Sequence, residues 1–283
     1  MDKSYSDVRP SPIAGTWYSA DKEKLSATID DYLARAKPPG IQGEVIALMV
    51  PHAGHIYSGL TAAHAYKTVR GKSFEQVVIL SPSHQYYPQP LLTSAHQAYQ
   101  TPLGFVPVAR KTVEQIDLRL KEEMGIALSP VKRDPEHSLE IELPFLQRSL
   151  PNEFQLVPIM LRDQSASLAK GLGAILAELC KEPKTLFIAS TDLSHFYYEN
   201  QAQKLDQAVL EAVADFDIPS LYDLHASGKG QACGLGAVAC VMWAAKMLGA
   251  NLVKVVDYRT SADVTHDKSS VVGYGAAVFA KAA

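Results

Sequence analysis

The sequence predicts an α/β fold, with a single domain over residues 1–283 and a central, mostly parallel sheet flanked by helices. Three observations support this prediction. Short, continuous runs of β-branched and aliphatic residues recur along the chain, as in strands that are covered on both faces. Amphipathic helical patterns separate these runs, which is typical of βαβ units. No low-complexity linker or strong internal repeat divides the chain.

The predicted elements alternate along the chain. A first helix is expected after Asp21, a good N-cap residue, and ends before the breaker Pro38-Pro39-Gly40. Strands are predicted at residues 45–50, 77–80, 154–161, 185–189, 252–258 and 271–279. Further helices are predicted at residues 58–69, 113–123, 137–150, 165–180, 202–214 and 234–248. Pro144 lies inside one helical pattern and indicates a kink or a helix that restarts.

Composition argues against several classes of partner. The formal net charge is −3 and no basic block occurs, so neither a nucleic acid nor an anionic membrane surface is expected. No apolar run approaches the ~18 residues of a membrane span, and the N-terminus lacks a signal-peptide pattern. Three scattered cysteines form no disulfide framework. We therefore expect a cytoplasmic protein with a small-molecule substrate.

Histidines follow three of the predicted strands. His52 follows the strand at 45–50, His84 the strand at 77–80, and His195 the strand at 185–189. Open α/β sheets place ligand-binding residues just beyond the carboxyl ends of their strands, so the three side chains are expected at one edge of the sheet. A single histidine in such a turn is usually a polar loop residue or a core imidazole. Three at equivalent positions favour a shared site.

Converging neutral imidazoles bind metals, usually with a carboxylate or a thiolate that completes the ligand set. The candidates for a third ligand are Asp192, Glu136 and Cys233. Cys233 precedes an apolar helical pattern, and a helix N-terminus lowers the pKa of a thiol. The alternative interpretation of Cys233 is a small buried apolar residue.

A series of short motifs resembles that of the Memo family, whose bacterial and archaeal members are often labelled AmmeMemoRadiSam system protein B. In chain order the motifs read RPSPIAGTWY, VPHAGHIYSG, ILSPSH, TPLGFVPV, EHSLEIELPFLQ, LVPIML, ASTDLSHF, ACG and YRTSAD with SVVGYGAAVF. They run from Arg9 to Phe279 and so cover essentially the whole chain. Each motif alone is weak, whereas the ordered series is specific.

The resemblance implies a fold similar to the LigB-like class III extradiol dioxygenases, which open catechol rings with non-haem Fe(II). It implies metal ligands at His52, His84 and Cys233, which match the PHAG, PSH and CG motifs. It also places Asp192 and His195 beside the metal, with His195 as the acid/base group for a phenolic proton and Asp192 orienting an imidazole or binding substrate. Fe(II) is the cofactor expected first. Because a thiolate is a softer ligand, Cu or Zn also fits this set.

Two positions depart from the family pattern. The residue after Gly54, often aromatic in the family, is His55, and the PSH motif, sometimes followed by a second histidine, is followed by Gln85. Both changes are expected to alter the pocket wall more than the metal ligands. Glu136 and His137 are candidates for supporting the site, with no assigned step.

Two other functions stay open. Eukaryotic members of the family are described as adaptors in cell-motility signalling, so a peptide-binding module is one alternative. The other is a metal- or redox-handling partner of the radical-SAM and AMMECR-type proteins that the bacterial family label implies. The enzyme hypothesis ranks first, because a pure binding module has no chemical need for these histidines, an aspartate and a cysteine at strand ends. Tyr57, Tyr258 and Arg259 are candidates for lining the pocket.

Overall fold

Strands and helices alternate over most of the chain in the computed structural model, which describes residues 5–182 and 184–282. In chain order the strands are β1 (Val8–Arg9), β2 (Glu44–Val50), β3 (Gln76–Pro82), β4 (Leu91–Ser94), β5 (Ala98–Thr101), β6 (Gly104–Pro107), β7 (Leu128–Val131), β8 (Gln155–Leu161), β9 (Thr185–Ser190), β10 (His195–Tyr197), β11 (Leu252–Thr260) and β12 (Val271–Lys281). The helices are α1 (Lys22–Arg35), α2 (His55–Lys67), α3 (Arg110–Met124), α4 (Leu143–Ser149), α5 (Ala166–Leu179), α6 (Glu199–Ala214), α7 (Ile218–Ala226), α8 (Leu235–Met247) and α9 (Ala262–Thr265), with a 3₁₀ turn at Glu140–Glu142.

Four parallel strands form the centre of the main sheet. Their spatial order is β2, β9, β3 and β8, and each neighbouring pair is parallel. Every residue of β3 and β9 is buried, as are all but the first residue of β2 and β8. Aliphatic and β-branched side chains suit strands that are covered on both faces. The predicted parallel centre is confirmed.

Antiparallel strands extend this centre on both sides, so the sheet as a whole is mixed. β12 pairs antiparallel with β2, β11 and β10. On the other side, β4 is antiparallel to β8 and parallel to β7. A separate small sheet joins β1, β5 and β6. The strands β4 to β7 are not predicted by the sequence pattern, because each has only four residues and no continuous apolar run marks it.

The helices pack against the sheet in two groups. α8 contacts β9 and β3 and packs on α5, which packs on α3. α2 contacts β12 and β11 and packs on α1 and α4. Apolar side chains from both groups and from the central strands belong to one continuous core, as expected for one α/β domain. No helix within the described ranges is long and apolar enough to cross a membrane.

The helix predicted at residues 137–150 begins later than expected. The 3₁₀ turn leads into α4, which starts at Leu143. Pro144 lies in the first turn of α4, where its missing N–H removes no helical hydrogen bond. The sequence left a kink or a restart open at this proline, and in the structure the α-helix begins beside Pro144 rather than continuing through it. His137 consequently lies in an irregular loop rather than on a helix.

Candidate functional site

The loops that follow β2, β9 and β3 lie side by side at one edge of the sheet. These strands are parallel neighbours, so their carboxyl ends meet there. His52, His84 and Asp192 each lie two residues after one of these strands. His195 begins β10, three residues further along the third loop. The strand-end reasoning therefore places four of the predicted site residues at the same edge.

Three imidazoles converge at this edge, those of His52, His84 and His137. One nitrogen from each ring lies within 4.8 Å of a nitrogen on each of the others. The rings of His84 and His137 are stacked with centroids 4.8 Å apart, and His52 meets them edge-on at 5.3 and 5.5 Å. His84 is exposed, so the group is accessible to solvent. Three imidazoles are a ligand set that suits Zn, Cu or Fe.

Each of the three rings has an oxygen beside its Nδ1 atom. His84 Nδ1 lies 2.9 Å from Glu136 Oε1, and His137 Nδ1 lies 3.3 Å from the same oxygen. His52 Nδ1 lies 2.9 Å from Ser190 Oγ. A hydrogen bond donated by Nδ1–H fixes the tautomer of an imidazole and leaves Nε2 for a metal.

Burial keeps two of these imidazoles neutral. It holds the pKa of His52 well below its usual range, and the nearby His137 and His84 lower that pKa further. Burial also lowers the pKa of His137 to about 4, against the opposing charge of Glu136. Partial burial acts to lower the pKa of His84, but its hydrogen bond and charge interaction with Glu136 raise the pKa overall. Because the pKa values of His52 and His137 are lowered, both imidazoles are neutral near neutral pH. Neutral imidazole is the form that binds a metal.

The carboxylate of Glu136 organises the loop that carries His137. It accepts hydrogen bonds from the backbone N–H groups of His84 at 2.5 Å, of Ser138 at 3.0 Å and of His137 at 3.1 Å. Burial alone would raise the pKa of Glu136, but hydrogen bonds from His84 and Ser138 and the charge of His84 hold it far below its usual range. Glu136 is therefore ionised, and it orients His84.

The N-terminal segment holds the other side of this loop. The buried guanidinium of Arg9 donates to the backbone carbonyl of Glu136 at 2.7 Å and pairs with the carboxylate of Glu140. The ring of Trp17 packs against that of His137, with 4.0 Å between the centroids and 31° between the ring planes. The buried charge of Arg9 requires partners such as the Glu140 carboxylate and the Glu136 carbonyl. The RPSPIAGTWY motif is thus part of the framework of the site.

The predicted ligand Cys233 lies against His52. Its Sγ is 3.1 Å from His52 Nε2, and it accepts a hydrogen bond from the backbone N–H of Asp192 at 3.2 Å. Burial, followed by the nearby charge of Asp192, raises the pKa of Cys233, so the metal-free thiol is protonated. His137, for which no ligand role was predicted, is the third member of the converging group. Metal ligation by Cys233 stays a prediction.

Asp192 supports the loop that carries His52. Its Oδ1 accepts a hydrogen bond from the backbone N–H of His52 at 2.7 Å. Burial raises the pKa of Asp192 to about 7, although hydrogen bonds from the backbone of His52 and Ala53 oppose the shift. Asp192 thus acts on His52 through the backbone, and its catalytic role stays a prediction.

His195 is held at the same edge by a buried carboxylate. Asp206 of α6 accepts hydrogen bonds from the backbone N–H of Ser194 and from the Tyr258 hydroxyl, both at 2.8 Å. Burial lowers the pKa of His195, and the charge of His84 lowers it further, so its imidazole is neutral. The next residue, Phe196, has a φ of 65° and is 76% exposed. The ring therefore lies outside the core, on a left-handed backbone that is uncommon for a bulky residue.

His55 lies in the core and not in the pocket wall, in contrast to the expectation from the sequence. It is 4% exposed, and its ring packs between those of Tyr18 and Phe145. Its Nε2 lies 3.2 Å from the carbonyl oxygen of Ile141. Because α2 begins at His55, three residues before its predicted start, the helix directs this side chain inward.

The remaining candidates for the pocket wall have varied surroundings. Tyr258 donates to Asp206, as described above, and Arg259 Nε donates to Asp257 Oδ2 at 2.9 Å. Tyr57 is exposed on the first turn of α2. Their role as pocket residues stays a prediction.

Three buried residues beneath His52 had no sequence signal of their own. Ser190 Oγ, which contacts His52, lies 2.9 Å from Glu142 Oε1. The Tyr66 hydroxyl donates to Glu142 Oε2 at 2.7 Å. Ser190 and Glu142 fall within quoted motifs, but only the packing of β9, α2 and the 3₁₀ turn brings them together.

Comparison with known proteins agrees with the motif series. The family model described as Memo-like protein matches residues 9–278. A MEMO1 family protein of Nitrosopumilus maritimus (strain SCM1) is 35% identical over 276 residues, which cover 96% of this chain and 99% of the relative. MEMO1 family proteins of Aquifex aeolicus (strain VF5) and Methanosarcina mazei are 35% and 34% identical over 279 residues, with the same coverage of 96% and 99%. The chain therefore belongs to the Memo family.

Proposed function

We propose that the protein binds a first-row transition metal through His52, His84 and His137, with Fe(II) as the first candidate and Cu or Zn as alternatives. The observation that carries this proposal is the grouping of one nitrogen from each ring within 4.8 Å. The contacts of Nδ1 atoms with Glu136 and Ser190 support it, because such contacts orient metal-binding imidazoles.

Cys233 is proposed as a further ligand that decides which metal is preferred. Its sulfur lies beside His52 Nε2, the nitrogen that His52 would offer to a metal. Ligation requires the thiol to lose its proton, and a bound cation favours that loss. Thiolate ligands favour Cu(I) or Zn, whereas a site built from imidazoles alone also suits Fe(II).

We further propose that the protein catalyses an extradiol-type dioxygenase reaction on a small aromatic substrate. If Fe(II) binds, His52, His84 and His137 would hold it, and the metal would supply the redox chemistry for a reaction between a substrate and O₂. The resemblance to LigB-like enzymes and the neutral imidazole of His195 at the same sheet edge support this proposal. His195 would accept a proton from a phenolic hydroxyl, as a neutral imidazole can. Asp192 would hold the His52 loop in place through the backbone N–H.

Metal analysis of anaerobically purified protein tests the binding proposal. Bound Fe, Cu and Zn are measured in the wild type and in the variants His52→Ala, His84→Ala, His137→Ala and Cys233→Ala. We expect the three histidine variants to lose tightly bound metal and the cysteine variant to change the metal preference. His225→Ala, at an exposed histidine of α7, is the matched control and should bind as the wild type does. Full metal retention in all three histidine variants would contradict the proposal.

Oxygen uptake by the iron-loaded protein, measured with a panel of catechols, tests the enzyme proposal. His195→Ala is expected to keep its iron and to slow uptake by about 10²- to 10⁴-fold, the usual contribution of a general acid/base group. An iron-loaded wild type that consumes no oxygen with any member of the panel would reject a catechol dioxygenase. Metal binding would stand in that case.

A binding function is the second candidate, and exposed aromatic side chains beside the site favour it. Tyr86 is 83% exposed and Phe196 is 76% exposed, two residues after His84 and one residue after His195. Exposed aromatic groups are enriched where proteins bind partners. The radical-SAM and AMMECR-type proteins stay the predicted partners. Co-elution of either with the wild type, and not with a Tyr86→Ser, Phe196→Ser double variant, would support this function.

A further inference from the structure

A buried network of polar groups lies behind the Nδ1 atom of His52. It comprises the side chains of Tyr66, Glu142 and Ser190 and the backbone carbonyl of Ser138. Each of these residues is at most 1% exposed. Buried polar groups of native proteins are almost always paired, so the position of each proton in this network can be assigned from the contacts.

The hydroxyl of Ser190 is the junction of the network. Its Oγ lies 2.9 Å from His52 Nδ1, 2.6 Å from the Ser138 carbonyl oxygen and 2.9 Å from Glu142 Oε1. A serine hydroxyl has one proton to donate, and a carbonyl oxygen can only accept. If Glu142 were ionised, Ser190 would face two acceptors with a single proton.

A proton on Glu142 Oε1 removes this conflict. Glu142 then donates to Ser190, Ser190 donates to the Ser138 carbonyl, and Ser190 Oγ accepts a second hydrogen bond from Nδ1–H of His52. The other carboxyl oxygen of Glu142 accepts from the Tyr66 hydroxyl at 2.7 Å. Every polar atom of the network is paired in this arrangement.

The surroundings of Glu142 also disfavour its ionised form. Within the described parts of the chain no lysine or arginine acts on this carboxyl, and the nearby Asp192 would repel a second negative charge. Burial raises the pKa of Glu142 to about 8, although its side-chain contacts with Tyr66 and Ser190 oppose that shift. An unpaired buried carboxylate is strongly disfavoured, and protonation is the usual outcome.

We propose that Glu142 is a protonated carboxylic acid that acts through Ser190 as a positioning residue for His52. Because Glu142 carries its own proton, Ser190 can donate its single hydroxyl proton to the Ser138 carbonyl, so toward His52 its Oγ can only accept, from Nδ1–H. This contact fixes the tautomer in which Nε2 of His52 is unprotonated and available to a metal. The inference rests on the metal-binding function proposed above and adds to it a neutral acid that is not itself a ligand.

Titration of the metal-free protein with Zn(II), in competition with a chelator, tests this assignment. Glu142→Gln keeps an N–H donor for Ser190 and a carbonyl acceptor for Tyr66, so its affinity for Zn(II) is expected to stay within about threefold of the wild type. Glu142→Leu and Ser190→Ala break the network and are expected to lower the affinity by about 10- to 100-fold. If Glu142→Leu does not fold, Ser190→Ala carries the comparison. A Glu142→Gln variant as weak as Ser190→Ala would overturn the proposal, because the network would then need a carboxylate.

An infrared difference spectrum between the metal-free wild type and Glu142→Gln tests the protonation state directly. At neutral pH the wild type is expected to show the carbonyl stretch of a protonated carboxylic acid, and the variant is expected to lack it. Absence of that band in the wild type would overturn the proposal. If the wild type binds no metal, the proposed function fails, whereas this spectrum still decides the state of Glu142. The two failures are therefore distinguishable.

Discussion

The carboxylate of Glu136 contacts two of the three converging imidazoles, so Glu136→Gln is expected to weaken metal binding although every ligand remains. Oε1 faces Nδ1 of His84 and of His137 at 2.9 and 3.3 Å, and Oε2 accepts from the backbone N–H of His84 at 2.5 Å. A glutamine side chain has only one oxygen. Whichever way it turns, its amide N–H groups face at least one donor, and Glu136 is only 1% exposed, so water cannot separate them.

The contacts of Glu136 set the expected size of two effects of the substitution, one on metal affinity and one on the free energy of unfolding. Loss of a group that orients a metal-bound histidine lowers metal affinity by about 10- to 100-fold. Loss of hydrogen bonds to a buried charge is expected to lower the free energy of unfolding of the metal-free protein by about 3 kcal/mol. The folded-state pKa of Glu136 is lowered, so its stabilising contribution is present above the unfolded-state pKa of about 4.3 and is lost as the pH falls below that value. This part of the acid sensitivity should be absent from the variant.

Chelator-competition titration with Zn(II) measures the affinity, and urea unfolding of the metal-free protein measures the stability. Glu140→Gln is the matched control, because Glu140 is equally buried in the same segment but binds Arg9 and Tyr18 rather than a histidine. Glu140→Gln should also lose stability, but its affinity for Zn(II) should fall less than that of Glu136→Gln. Equal Zn(II) affinities for the wild type and Glu136→Gln would refute the reasoning that Glu136 orients the imidazoles.

Three further predictions concern stability and a spectroscopic signal. His55→Phe removes a buried imidazole whose pKa burial lowers to about 4. In the unfolded state the histidine takes up its proton near pH 6.5, so the wild type loses up to about 1.4 kcal/mol of stability per pH unit as the pH falls from about 6.5 to about 4. When the free energy of unfolding in urea is plotted against pH over this range, the slope for the variant should be smaller by that amount. Trp17 packs against His137, so Cu(II) bound there is expected to quench tryptophan fluorescence in the wild type and in Trp243→Phe but not in Trp17→Phe. Equal quenching in both variants would contradict a site at His137. Gly273→Ala places a methyl carbon 1.8 Å from Asp206 Oδ2 and is expected to lower the free energy of unfolding by about 1–3 kcal/mol; an unchanged urea midpoint would mean that the Asp206 contact is easily displaced.

The amino-acid pattern alone determined the centre of the fold. Strands covered on both faces need apolar residues at every position, and runs such as VIALMV are visible without any tertiary information. The location of the turns after those strands was equally predictable, because the carboxyl ends of parallel strands meet at one edge of the sheet. That rule was sufficient to bring His52, His84 and His195 to the same edge.

Only the tertiary structure decided which side chains surround His52. His137 joins His52 and His84 because an irregular loop, held by Arg9 and Glu136, turns its ring inward, and no helical or strand period describes such a loop. His55 is adjacent in sequence to the same motif, yet the early start of α2 sends it into the core.

Sequence spacing could not predict the hydrogen-bonding partners of the imidazoles, for the same physical reason. Ser190 and Glu142 are 48 residues apart, and Glu136 and His84 are 52 residues apart. Periodicity reports which face of an element is apolar, whereas a hydrogen bond depends on distances and angles between elements that the chain brings together only on folding. The sequence therefore determined where the candidate metal site lies, and the packing around it decided which groups orient its histidines.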